Sequence, residues 1–74
     1  MSMTKFIIIM YLCSHIPGNA CKPFEPEYTE FKNYHKCAIY GYEYSSDLMK
    51  NFSPEFVENY RPYTVFGCHE QSTT

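Results

Sequence analysis

Beyond residue 20, two histidines lie near cysteines in this sequence, and these four side chains could bind zinc or activate a thiol. His35 precedes Cys37 by two positions, and His69 directly follows Cys68. Thiolate sulfur and imidazole nitrogen suit Zn²⁺, and a neighbouring imidazole can activate a cysteine nucleophile. The spacing differs from the common zinc-finger patterns, and Cys68 and His69, as neighbours on a strand, would point to opposite faces. His35 and Cys37 would share a strand face, but no Asn or Asp is placed to orient the imidazole. We therefore predict no catalytic residue, no metal site and no cofactor.

The N-terminal segment predicts the compartment in which these cysteines work. Lys5 is followed by an apolar run over residues 6–13, then by Ile16-Pro17-Gly18-Asn19-Ala20, which ends in small residues. This order is typical of a secretory signal peptide cut after Ala20. The run is about eight residues long, far short of the roughly 20 that a membrane span needs. We predict a signal peptide over residues 1–20 and a single small secreted or luminal domain over residues 21–74, with no membrane span.

Removal of that leader would leave three cysteines, which implies one disulfide and one remaining thiol. We predict a bridge between Cys37 and Cys68, because the strand pairing described below brings them together. In the chain-entropy model, closing a loop of about thirty residues stabilises by roughly 3–4 kcal/mol. Cys21 would then be free or would link two copies of the chain. The alternative of a lipidated Cys21 fits poorly with Gly18-Asn19-Ala20 before it.

The elements that must position the cysteines are short. Lys36–Tyr44 and Tyr63–Cys68 are rich in aromatic and β-branched residues, which indicates two strands paired antiparallel. Between them, Ser46 could begin one short helix, and Ser53-Pro54 a second that ends before Arg61-Pro62. The predicted fold is a small α+β unit with a two-stranded sheet and a short helical connection, stapled by a disulfide. Because two strands are marginal in water, partial disorder is expected.

Candidate binding residues come from the first predicted strand. Tyr40, Tyr42 and Tyr44 would share one strand face and could form a partner-binding surface. Alternatively, the three rings would cover the second helix. Asn51 begins an Asn-Phe-Ser sequon, but Pro54 directly after it makes glycosylation a weak expectation. The net charge of −2 gives the chain no electrostatic reason to bind nucleic acid.

The leader, the abundance of tyrosine and the arm over residues 21–28 (Cys-Lys-Pro-Phe-Glu-Pro-Glu-Tyr) suggest a family. Together they resemble an orthopoxvirus secreted protein, and more narrowly the N-terminal portion of the poxvirus endoplasmic-reticulum-resident apoptosis-regulator family. The resemblance implies a host protein as partner. Full-length members of that family are several times longer and end in a retention signal, so the resemblance also implies a truncated product.

Three functions follow as expectations. The first is a secreted or luminal viral host-interaction protein that modulates immunity or apoptosis by non-catalytic binding. The second is a truncated remnant with no activity of its own. The third is a small redox or metal-binding protein that uses Cys37, Cys68 and the neighbouring histidines.

Overall fold

The computed structural model describes residues 3–16 and 18–73 of the chain. They form a small α+β unit, as expected, but the sheet has four antiparallel strands instead of two. The prediction of a two-stranded sheet is therefore wrong. The elements, in chain order, are β1 (Met3–Ser14), β2 (Ala20–Phe24), β3 (Glu30–Phe31), α1 (Tyr34–Asn51), α2 (Pro54–Tyr60) and β4 (Pro62–Thr73).

Strand β1 is the centre of the sheet. It pairs with β4 along its whole length, from Met3 opposite Thr73 to Ser14 opposite Pro62. Its other edge pairs with β2 near one end and with β3 near the other. The apolar run predicted as the core of a signal peptide therefore forms the central strand of the described chain. Cleavage after Ala20 stays a prediction about processing, and residues 1, 2 and 17 of the predicted leader lie outside the described residues.

Helix α1 occupies the segment predicted as the first strand, so that prediction is wrong. Asn33 caps the helix, and its side-chain oxygen accepts a hydrogen bond from the Lys36 amide at 2.8 Å. The helix runs through Ser46, which begins no new helix. Cys37, Gly41 and Tyr44 recur at intervals of three to four residues and place one face on the sheet. That packing outweighs the strand propensity of the tyrosines.

Helix α2 and strand β4 agree with their predictions. The Ser53 hydroxyl accepts a hydrogen bond from the Phe56 amide at 3.2 Å, and Pro54 is the first helical residue. The helix ends at Arg61, whose backbone takes the left-handed conformation with φ of 49°. The predicted strand Tyr63–Cys68 lies within β4.

The core lies between α1 and one face of the sheet. Ile8 and Met10 of β1 are buried against Cys37 of α1. Because strand side chains alternate between faces, the even-numbered residues of β1 and β4 form this helix face. The odd-numbered ones form the opposite side, here called the open face. Partly buried residues complete the core: Phe6, Phe24, Phe31, Tyr40, Tyr44, Phe66 and Cys68.

Candidate interaction surface

The three cysteines that the sequence analysis singled out all take part in disulfides. Cys37 of α1 is bonded to Cys68 of β4, with the Cα atoms 6.2 Å apart. The predicted pair is confirmed, although it joins a helix to a strand where two strands were expected. Cys21 is bonded to Cys13, its direct neighbour across β1 and β2. The prediction of a free or intermolecular Cys21 is therefore wrong for the described chain, since its partner lies in the segment that was expected to leave.

The histidines and cysteines are not gathered into one site. Both thiols that a zinc ion would need are used in the Cys37–Cys68 disulfide. His69 lies on the open face while Cys68 lies on the helix face, because neighbouring strand residues alternate. Across residues 3–16 and 18–73, no group of three or more His, Cys, Asp or Glu side chains is placed to hold a metal ion.

The three tyrosines predicted to bind a partner are separated by the helical backbone. Tyr40 and Tyr44, four residues apart, pack toward the core, where Tyr40 meets Phe31 and Tyr44 stacks on Phe24. Tyr42 is on another side of α1 and is 70% exposed. The prediction that the three tyrosines share one face is therefore wrong, and of the three only Tyr42 remains available to a partner.

Asn51 is the last residue of α1 and is exposed. Ser53, the third residue of its sequon, caps α2 through its hydroxyl oxygen. Occupancy of this sequon stays a prediction.

The open face of the sheet presents apolar side chains to solvent. Ile9 is 42% exposed, Tyr11 39% and Val65 49%, and the three are neighbours on β1 and β4. Ile7 extends the same row along β1. No helix covers these residues in the described part of the chain, because α1 packs on the other side of the sheet.

A recess interrupts this apolar row at Gly67. Gly67 pairs with Ile9 and carries no side chain, so the surface sinks between Val65 and His69. A Cβ atom placed at Gly67 would lie 3.2 Å from the His69 Nε2 atom and 3.9 Å from two carbons of the same ring. The recess is therefore bounded by a movable imidazole and could receive one side chain of a partner.

Polar and cross-linked groups border the apolar row at both ends. At one end, Lys5 Nζ lies 2.6 Å from Glu30 Oε1 in an exposed ion pair. At the other end lies the Cys13–Cys21 disulfide. The row is therefore bordered by charged groups at its Lys5 end, as the rim of a protein–protein interface usually is.

The outer edge of β4 is a second accessible feature. The Ile8 amide donates to the Thr29 carbonyl at 3.0 Å, so even-numbered residues of β1 direct their backbone groups away from β4. Because these directions alternate along a strand, the odd-numbered residues of β4 bond to β1. The even-numbered ones direct their N–H and C=O groups outward. Among the described residues, no strand pairs with this outer edge.

A groove of about 310 Å³ runs between this edge and α1. Exposed rings of Tyr34 and Tyr42 flank it on the helix side, with Ala38 between them. The floor is the middle of β4, residues 64–68.

Sequence reasoning missed the open face because it assigned β1 to a leader. The signal was present, since Ile7, Ile9 and Tyr11 alternate with Ile8 and Met10 in one uninterrupted apolar run. Strands that are covered on both faces have this composition, whereas strands with one solvated face alternate with polar residues.

No known protein family, curated protein or solved structure matches the chain. Within the described residues, neither helix combines the length and the apolar composition that crossing a bilayer requires.

Proposed function

We propose that this chain is a non-catalytic binding protein of an oxidising compartment, and that it binds a partner protein through the open face of its sheet. The observation that carries the proposal is the exposure of Ile9, Tyr11 and Val65 side by side on one face. In solution these side chains are exposed to water, and burying them against an apolar partner surface is favourable by about 25 cal/mol per Å².

The composition of β1 supports the same function. Every residue from Phe6 to Cys13 is apolar, so apolar side chains lie on both faces of the strand. Strands that are covered on both faces have this composition. Helix α1 covers one face, so a partner that covers the other would complete the arrangement. The recess at Gly67 offers a position for an anchoring apolar side chain of the partner.

The two disulfides support the assignment to an oxidising compartment. Structural disulfides persist in secreted and luminal proteins and are rare in the cytosol. In this proposal the protein acts outside the cell or in the lumen of the endoplasmic reticulum with residues 1–20 retained, because Ile9 and Tyr11 of the open face lie in β1. The resemblance of residues 1–28 to a poxvirus secreted protein supports a host protein as the partner.

The test uses a substitution that separates binding from folding. Gly67→Ala places a methyl group on the floor of the recess, where it would obstruct an anchoring side chain, so binding should weaken by about tenfold or more. Its stability should stay equal or rise, because glycine within a strand is unfavourable relative to alanine and the exposed His69 ring, 3.2 Å from the new Cβ atom, can shift to admit it. Ile39→Ala is the matched control, since Ile39 is 45% exposed on α1, on the other side of the molecule.

Partners would be identified by proximity labelling in the secretory pathway of mammalian cells that express the wild-type chain. A protein labelled by wild type and Ile39→Ala but lost with Gly67→Ala would be purified, and its binding to all three chains measured by calorimetry. Equal binding by wild type and Gly67→Ala would rule out the open face as the site.

A further inference from the structure

We propose that the outer edge of β4 pairs with the same edge of a second copy of this chain, which joins the two sheets into one. This proposal concerns self-association and does not depend on the partner-binding function above. Its starting point is the row of outward N–H and C=O groups on the even-numbered residues of β4, from Thr64 to Ser72.

The sequence of β4 carries little protection against such pairing. Natural proteins protect exposed edges with lysines, prolines, bulges or short strands. Strand β4 has 12 residues, no Lys or Arg, and a proline only at its first position. Its register with β1 runs without a bulge from Met3 opposite Thr73 to Ser14 opposite Pro62. A long, regular edge of this kind is a template for another strand.

Side-chain chemistry selects the register of the pairing. Outward backbone groups meet only when even-numbered residues face even-numbered residues, so a two-fold axis must pass through a single residue position. Within Pro62–Thr73, only axes at Gly67 and Cys68 pair as many as eleven residues of β4 with the second copy. An axis at Gly67 places Phe66 opposite the partner's Cys68, and Glu70 opposite the partner's Thr64. An axis at Cys68 would instead place Phe66 opposite the partner's Glu70, an apolar ring against the only carboxylate of the strand. We therefore place the axis at Gly67.

This register has the extent of a stable interface. It pairs residues 62–72 of both copies and forms about ten main-chain hydrogen bonds, as many as a typical protein interface carries. The groove of about 310 Å³ beside α1 leaves the edge accessible to the incoming strand. In the dimer, Tyr34 and Tyr42 of each copy lie above the paired edges.

The first measurement is the mass of the purified, oxidised full chain by sedimentation equilibrium at a series of micromolar concentrations. We expect twice the monomer mass at the upper end of the series. A monomer at every concentration would overturn the proposal.

The register is tested by a pair of cysteine variants on the open face. With the axis at Gly67, the two copies of residue 67 form a directly opposed pair without hydrogen bonds, with Cα atoms about 4.5 Å apart, which suits a disulfide. The two copies of residue 65 lie four positions out of register, about 13 Å apart along the strands. In a glutathione redox buffer, Gly67→Cys should therefore form a covalent dimer bridged at residue 67, while Val65→Cys should not. Peptide mapping identifies the bridge. Covalent dimers in both variants, or in neither, would show that β4 does not pair in this register.

Discussion

At the residue scale, the Phe66 ring of β4 packs tightly against Gly41 of α1. Gly41 is buried in the middle of α1, and the Phe66 ring occupies the space where a Cβ atom would lie. The Ser45 hydroxyl donates to the Gly41 carbonyl at 2.8 Å and accepts from the Thr64 hydroxyl at 2.6 Å. These two hydrogen bonds hold the same turn of α1 against β4, so the helix cannot easily move away from the sheet to admit a larger residue.

We expect Gly41→Ala to lower the free energy of unfolding by about 1–3 kcal/mol, because the new methyl group overlaps the Phe66 ring. Helix propensity alone predicts the opposite sign, a gain of about 1 kcal/mol over glycine. Urea denaturation followed by circular dichroism measures the difference. In a chain that already carries Phe66→Leu, Gly41→Ala should cost much less stability, because the aromatic ring that the methyl group overlaps is absent. A Gly41→Ala chain more stable than wild type would show that this contact is not tight.

At the element scale, local signals predicted α2 and β4 but not β1 or α1. The hydroxyl of Ser53 and the ring of Pro54 act within one turn, so they could be recognised without tertiary information. The tyrosines of α1 favour strands, and its helical spacing becomes decisive only when the sheet supplies a face to pack on.

The same limit explains the missed central strand and the missed open face. An apolar run near a positive charge is equally typical of a leader and of a buried strand, and length alone does not separate them. The partner of Cys21 was missed for the same reason. Only long-range pairing with β4, which the local sequence does not encode, identifies the run as β1.

Two adjacent substitutions in β1 test which of its faces is covered. Ile8 is 3% exposed on the helix face, whereas Ile9 lies on the open face. Replacing either by Thr keeps a β-branched side chain and lowers apolarity equally. We expect Ile8→Thr to cost about 2–4 kcal/mol of unfolding free energy, because it buries a hydroxyl and loses core contacts. Ile9→Thr should cost about 0.5 kcal/mol or less. Thermal denaturation of the purified chains measures both, and equal losses would contradict the assigned faces.

At the scale of the whole molecule, the fold and the predicted processing make opposite demands on residues 1–20. Strand β1 bonds to all three other strands and supplies Ile8 and Met10 to the core. Cleavage after Ala20 would remove that strand and the bonding partner of Cys21. If the Cys13–Cys21 bridge formed before cleavage, it would keep the released segment attached.

The structure therefore predicts that residues 21–74 produced alone do not fold, because β2, β3 and β4 have no direct pairing with one another. Full-length chain should unfold in one cooperative transition, whereas the shortened chain should show none by circular dichroism and should exchange its amide hydrogens rapidly. A synthetic peptide of residues 1–20, added under oxidising conditions, should restore the transition by supplying β1 in trans. The same peptide with Ile8 and Met10 replaced by Thr is the control and should not. A cooperative transition in residues 21–74 without any peptide would mean that the mature domain has a core of its own and that β1 is dispensable.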